Sequence, residues 1–378
     1  MIKAYKYRLY PTKKQFVFLE TQLNGHRFLY NQALSQRKEI YEQTNKGVGY
    51  VAQAASIPKL RKENKNLALC NYSSLQQTLR RLNKSFEAFF LRVKAGEKAG
   101  YPRFKSADRF NTIAYSTIGD GCQIKENRLY LQNIGCIKVK WHRLIDSNIK
   151  TLSVTRRNNR WYVCFFVECN IKLLPNTGKE TGIDVGLNAF ITTSDGEKIE
   201  PPQYFRKAER KLAKVQRRLS RRTKGSNRRR KARILVSNHH EKIANQRLDF
   251  NHKVAYSLVK AYDGFAVESL NIKNMVKNRH LSKSISDAGW GNFLVILKYK
   301  AENAGRWYQE VIPNGTSQEC SSCGNIVKKS LAVRVHNCPY CGLSLDRDVN
   351  AALNILQKAR IEPSWRGGGT MPLVEARS

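Results

Sequence analysis

Acidic residues are scarce in this sequence: 29 Asp and Glu stand against 68 Lys and Arg, a formal net charge of +39 over 378 residues. An imbalance of that size points to a polyanionic partner, nucleic acid above all. A disordered basic chain is disfavoured, because 41% of the residues are hydrophobic, enough for packed cores. Long apolar runs are missing as well. None approaches the ~20 residues of a membrane span. The opening MIKAYKYRLYPTKKQ alternates apolar and basic residues where a signal peptide would carry an apolar segment. A soluble intracellular protein is therefore expected. Histidines number seven, none in an H-E-x-x-H pattern, so catalytic zinc has no support. There is also no P-loop and no G-x-S-x-G, which removes the usual grounds for nucleotide hydrolysis or serine chemistry.

What is present is most specific near the C-terminus. The stretch CSSCGNIVKKSLAVRVHNCPYCG holds two C-x-x-C pairs, Cys320/Cys323 and Cys338/Cys341, each followed by a glycine, Gly324 and Gly342. Four thiolates at this spacing suit tetrahedral zinc, and glycine lets the backbone fold tightly round the sulfurs. The gap between the pairs is fourteen residues, slightly short for a zinc site of this pattern but within reach of a ribbon. A structural zinc is expected there. Cys70, Cys122, Cys136, Cys164 and Cys169 show no such spacing and are expected to be ordinary thiols in a reducing compartment.

The length predicts two or three domains. Met1 to Tyr10 has the pattern of a strand, and Pro11-Thr12 opens a helix. From Lys13 to about Lys94 apolar residues recur at helical spacing, among them Phe16, Leu19, Leu23, Leu75, Leu79, Leu82, Phe86 and Phe89, as expected of a core. Gln76, Gln77, Arg80, Arg81 and Lys84 lie on the polar side, where Gln76 and Arg80 could reach bases and phosphates or simply face solvent. After a Gly- and Lys-rich loop, KAGEKAGYPRFKS, five short β-branched or aromatic runs between Asn111 and Asn170 predict strands of a small barrel interrupted by the helical block.

Between Arg206 and Arg233, fifteen of 28 residues are Lys or Arg against one Glu. Such a block repels itself without counter-charge, so Arg217, Arg218, Arg221, Arg222, Lys224, Arg228, Arg229 and Arg230 are candidate contacts to a phosphate backbone. A solvated basic helix is the alternative.

Three acids stand out. In GIDVGLNAF, Ile183, Val185 and Leu187 share one face of a strand, with Asp184 and Gly186 on the other. In GFAVESLNI, Phe265 and Val267 oppose Ala266 and Glu268. A carboxylate on an apolar strand is costly unless something compensates for it, and Gly186 leaves room for a ligand to approach. The third acid lies in DRDVNAALNIL. With Asp346 set at the origin of a helical wheel, apolar residues occupy an arc from about 180° to 340° that contains Asp348. Asn350 and Asn354 fall on the polar side, and Asp346 is placed as the N-cap. Three acids meeting at one end of a helix-covered sheet suit two-metal phosphodiester chemistry with Mg²⁺ or Mn²⁺.

With RLYPTKKQ, GYPRFK, GIDVGLNAF, HHEKIANQRLDFNHK, ESLNI, SDAGW and the ribbon followed by DRDVNAALNI in order, nearly the whole chain resembles the TnpB family of transposon-encoded RNA-guided nucleases, relatives of type V CRISPR effectors. The resemblance implies a β-barrel wedge domain (1–10 and 107–175) with a helical recognition domain inserted (11–106). An RNase H-like RuvC nuclease domain (176–316 and 344–361), a zinc ribbon (317–343) and a flexible tail (362–378) would follow. It implies Asp184, Glu268 and Asp348 as catalytic ligands of two Mg²⁺ ions, a guide RNA from the transposon end, and double-stranded DNA cut beside a short transposon-associated motif. It also implies a monomer on its RNA, in the cytoplasm at the nucleoid of a prokaryotic cell. Two readings compete: a transposase that transfers strands with the same metals, and a non-cleaving nucleic-acid-binding regulator.

Overall fold

The computed structural model describes residues 1–170, 173–330 and 333–361, in two compact units, Met1–Asn170 and Ile171–Ser378. The first begins with strand β1 (Ile2–Tyr10) and the long helix α1 (Lys13–Thr44). Thr12 caps α1 through a capping box: the Gln15 N–H donates to Thr12 Oγ1 at 3.3 Å, and the Thr12 N–H donates to Gln15 Oε1 at 3.0 Å. Short helices α2 (Tyr50–Ala55), α3 (Ile57–Glu63) and α4 (Lys65–Ala68) lead to α5 (Tyr72–Lys94). Strands follow: β2 (Thr112–Tyr115), β3 (Cys122–Lys125), β4 (Arg128–Leu131), β5 (Gly135–Lys140), β6 (Ile149–Arg157) and β7 (Arg160–Glu168).

These strands form one antiparallel seven-stranded sheet in the order β2-β6-β7-β1-β5-β4-β3. β1 pairs with β7 from Ile2↔Glu168 to Leu9↔Trp161, so the first and last strands of the unit are neighbours. Alternation sends Tyr7, Leu9, Trp161, Val163 and Phe165 inward against Leu19, Leu23, Leu75, Leu79 and Leu82. The helical block and the strands expected to flank it thus share one core. Phe16 and Phe89, like the buried leucines, pack within the unit. Among the described residues the edge strands β2 and β3 are not paired to each other, so the expected barrel takes the form of a sheet with two edges. Strand β3 has no counterpart among the expected strands. Its residues, CQIK, hold a single β-branched side chain and no aromatic, unlike the equally short β2 and β4.

In the second unit, β8 (Glu180–Asp184), β9 (Ile191–Thr193) and β10 (Lys198–Ile199) are followed by the helices α6 (Tyr204–Ser220) and α7 (Asn227–Ala261). Then come β11 (Gly264–Glu268), α8 (Ile272–Met275), α9 (Ser282–Ala288), α10 (Trp290–Ala304) and β12 (Trp307–Val311). The small pair β13 (Val335–Asn337) and β14 (Ser344–Asp346) belongs to the ribbon, and α11 (Arg347–Ile361) closes the described chain. The main sheet has the order β10-β9-β8-β11-β12, with β8, β11 and β12 parallel and β9 and β10 antiparallel to their neighbours.

Its two faces are covered differently. Ile183, Phe265 and Val267 pack with α7 and α10 through Leu258, Phe293 and Leu297, whereas Ala266 and Val311 pack with Ile355, Leu356 and Ala359 of α11. Coverage on both faces explains why Thr181, Gly182 and Ile183 are all buried. Two glycines make room for neighbours, Gly182 for α11 and Gly264 for the side chain of its strand partner Trp307. A Cβ on Gly182 would lie 1.9 Å from the Ala352 carbonyl oxygen, and one on Gly264 would lie 1.8 Å from the Trp307 ring. No helix among the described residues is long and apolar enough to cross a membrane. The tail expected over 362–378 lies outside the described residues.

Candidate functional site

Parity along the strands decides where the acids point. Gly182 and Ala266 face α11, so Asp184 and Glu268, two residues further along β8 and β11, face it too. The parallel register runs from Gly264↔Glu180 to Val267↔Ile183, and one further step sets Glu268 beside Asp184 at the carboxyl ends of adjacent strands. Asp348 enters from the first turn of α11. Burial, then the Glu268 and Asp348 carboxylates, push the Asp184 carboxyl well above the ordinary carboxylate range, with the Arg347 guanidinium opposing them. The three acids singled out in the sequence therefore lie within electrostatic reach of one another. Three carboxylates supply hard oxygen donors, so the donor set fits divalent ions held through oxygen.

Asp346 does something else. Its Oδ1 accepts from the N–H groups of Asp348 at 3.0 Å and Val349 at 3.3 Å, while Oδ2 pairs with Lys198 at 2.6 Å. These bonds are consistent with a side chain holding the helix start, and they keep its carboxyl below the usual range even though burial opposes the shift. One expectation for α11 fails. Asn350 and Asn354, assigned to the polar side of the wheel, are fully buried. Asn350 Nδ2 donates to the Glu319 carbonyl at 2.7 Å and its Oδ1 accepts from the Ser321 N–H at 3.0 Å. Asn354 Nδ2 donates to the carbonyls of Thr316 at 2.8 Å and Glu319 at 2.7 Å. The wheel assumed that polar residues face water, but here they seat the start of the ribbon.

The ribbon gathers its four thiols as the spacing predicts. The sulfurs of Cys320, Cys323, Cys338 and Cys341 all lie within 4.8 Å of one another, with Cys320–Cys341 and Cys323–Cys338 each at 3.6 Å. Zinc–thiolate bonds of about 2.3 Å place tetrahedral sulfurs at about 3.8 Å, so the set fits structural zinc. Gly324 and Gly342 adopt positive φ, 75° and 74°, and return N–H groups to the Cys320 and Cys338 carbonyls at 2.9 and 3.0 Å. All nine cysteines are free.

The basic residues divide by role. Arg217, Arg218, Arg221, Lys224, Arg228 and Arg230 are exposed around the turn between α6 and α7, and Arg222 is half-buried there. Arg229 instead donates from Nη1 to the carbonyls of Leu219 at 3.0 Å and Arg222 at 2.8 Å, satisfying the end of α6. Arg80 is exposed and its Nε donates to the Tyr50 hydroxyl at 3.2 Å; Gln76 is half-buried on α5. Asp287, within SDAGW, is buried and accepts from the Phe205 and Arg206 N–H groups at the start of α6 and from Arg247 of α7. It anchors the basic hairpin to the sheet domain. The outer face of the first unit's sheet is basic as well. There Lys6 and Arg8 lie over the Tyr162 ring at 4.5 and 5.2 Å, beside Lys138 and Lys140 on β5. The alternation of β1 carried that signal, with Lys6 and Arg8 between Tyr5, Tyr7 and Leu9.

The fold is shared with a solved mini RNA-guided endonuclease, CRISPR-Cas phi3, at a TM-score of 0.53 and 11% identity, over 95% of this chain and 92% of that one. Residues 165–279 match the OrfB_IS605 family, described as "Probable transposase", and 290–355 match the Cas12f1-like TNB domain. Residues 1–46 match a helix-turn-helix domain, although here they form β1 and the single long helix α1. A Streptomyces pristinaespiralis protein bearing the provisional name RNA-guided DNA endonuclease is 34% identical, over 99% of this chain and 93% of its own. An Escherichia coli K12 protein with the same provisional name, InsQ, is 29% identical over 94% and 92%. The chain belongs to the TnpB family.

Proposed function

We propose that this chain is the RNA-guided DNA endonuclease of a transposable element, and that it cuts beside a short transposon-associated motif at Asp184, Glu268 and Asp348. The observation that carries the catalytic assignment is the placement of Asp184 and Glu268 at the ends of adjacent strands, on the sheet face covered by α11, whose first turn bears Asp348. The three acids would hold two Mg²⁺ ions. When bound, such ions supply activation of water and charge stabilisation at the leaving oxygen. The chain itself supplies the fixed placement: two acids on a rigid sheet, a third on a capped helix, and burial that strengthens every charge interaction.

The strand order of the second unit, with three parallel strands and an antiparallel hairpin on one side, supports an RNase H-like, RuvC-type nuclease domain. The ribbon supports one structural zinc beside it. The first unit, as a wedge with its helical recognition segment, and the α6–α7 hairpin would hold guide RNA and target DNA by their backbones, with sequence read by base pairing. The chain would act as a monomer on its RNA. Strand transfer would use the same acids, so product analysis is part of the test.

The experiment is cleavage of a matched duplex by the protein with its copurified RNA. Asp184→Ala should abolish cutting while RNA and DNA binding persist, and the native products should be free ends. Cutting by Asp184→Ala in Mg²⁺ would sink the assignment, and joined products would favour a strand transferase. Replacing Arg217, Arg218 and Arg221 together by Gln should weaken RNA binding and flatten its salt dependence.

A further inference from the structure

We propose that Thr316 is a positioning residue for Glu268, and that it couples the ribbon-bearing segment to the carboxylate cluster. The inference rests on Glu268 being a metal ligand. Glutamate has three side-chain torsions, so the strand fixes its Cα but not its carboxylate. The backbone at this end of β11 is held by the Ser269 N–H donating to the Val311 carbonyl at 2.8 Å. The carboxylate is held separately: the Thr316 hydroxyl donates to Glu268 Oε1 at 2.5 Å, and Thr316 is buried, 4% exposed. A short hydroxyl–carboxylate bond of this kind is charge-assisted and stronger than a neutral one. It engages one oxygen of a group that has two.

Thr316 is itself fixed from the opposite side. It follows Gly315, whose φ of 77° makes the turn and whose carbonyl accepts from the Gln318 and Glu319 N–H groups, both at 2.9 Å. Its own carbonyl accepts from Asn354 of α11 at 2.8 Å. Asn350 and Asn354 both bond the Glu319 carbonyl, one residue before the first zinc-ligand candidate, and Asn350 lies two residues after Asp348. One short turn therefore touches Glu268 with a side chain and α11 with its backbone. The strand acid and the helix acid are set relative to each other through it. Partners that orient metal ligands in this way typically contribute 10- to 100-fold in affinity or activity.

The test uses the full-length protein with its copurified RNA and compares Thr316→Val, Thr316→Ser and Asp184→Ala with the native chain. Mn²⁺ occupancy is followed by electron paramagnetic resonance without target DNA, counting the binding that Asp184→Ala removes; the Mg²⁺ dependence of cleavage is measured in parallel. Thr316→Val, which keeps shape but loses the donor, should raise the metal concentration for half-occupancy and half-maximal cutting by about 10- to 100-fold. Zinc content and thermal unfolding should stay near native, and Thr316→Ser should restore the metal dependence. Native metal binding and cutting by Thr316→Val would overturn the inference, as would equal losses in the Val and Ser variants. If Thr316→Val loses zinc or unfolds, Thr316→Ala makes the same comparison without added bulk, with the same two outcomes. Should Asp184→Ala remove no Mn²⁺ and still cut, it is the reading of the acids that fails, whatever Thr316 does.

Discussion

Glu268 stands beside Asp184 one register step beyond the paired residues Val267 and Ile183, at the carboxyl ends of two adjacent parallel strands. Ligands of open α/β sheets gather at this edge, because loops leaving the strand ends diverge there. The third acid reaches the pair only because α11 lies directly on β8. The close approach of Gly182 to the Ala352 carbonyl permits that contact.

Gly182→Ala should therefore be severely damaging. Its new Cβ would meet two backbone groups of α11, the Ala352 carbonyl and the Leu356 N–H, neither of which can rotate away. Overpacking of this sort costs ~1–3 kcal/mol or more, and displacing α11 also displaces Asp348. Gly186→Ala meets the Ala189 carbonyl oxygen at 3.1 Å and should be mild by comparison. Thermal unfolding and cleavage of the two variants check the contrast; equal behaviour would remove the packing argument.

Asp346 and Asp348 should separate cleanly. Asparagine caps about as well as aspartate, so Asp346→Asn should lose only the half-exposed pair with Lys198, worth ~0–1 kcal/mol. Its cleavage should stay near native. Asp348→Asn should fold and load RNA but not cut. The assignment is reversed if the Asp348 variant cuts and the Asp346 variant does not.

Elemental analysis should find one zinc per chain. Stripping it, or replacing Cys320 by Ser, should lower the unfolding temperature and reduce cleavage, because the segment from Thr316 to Ser321 is seated on α11 beside Asp348. Active protein without bound zinc would contradict the metal assignment.

The first unit carries a pH-dependent contribution. His26 is fully buried between the Thr78 hydroxyl at 2.8 Å and the Ser74 hydroxyl at 3.2 Å, and burial pulls its pKa down from 6.5 to about 3. The unfolded chain takes up this proton more readily than the folded one. The stabilisation is therefore complete above about pH 6.5 and is lost as pH falls from there towards 3, by up to ~1.4 kcal/mol per pH unit. Denaturant unfolding at pH 7 and pH 5 should show the native chain losing more stability than His26→Gln. Parallel losses would exclude the effect.

Much of the candidate site is legible in the sequence, because its signals are local. Two C-x-x-C pairs with following glycines encode the ribbon, and single acids on otherwise apolar strands mark Asp184 and Glu268. The wheel of α11 sets Asp348 in the apolar arc and Asp346 outside it, since that arc is a property of the helix's own residues. Strand β3 and the unbroken length of α7 are not legible, one having a single β-branched residue and no aromatic, the other running from a basic segment into an apolar one.

What only the tertiary structure decided is what covers each face. Asn350 and Asn354 have the composition of a solvent side, yet the ribbon folds back over them and they are buried. Gly182 has no signature apart from being glycine; its requirement comes from a helix that arrives some 170 residues later. Thr316 and Arg229 look like ordinary loop and basic residues until their partners, Glu268 and the end of α6, are in place. Periodicity reports which side of an element is apolar, but the partner of a polar side is chosen by long-range packing. That choice is not written in any one segment.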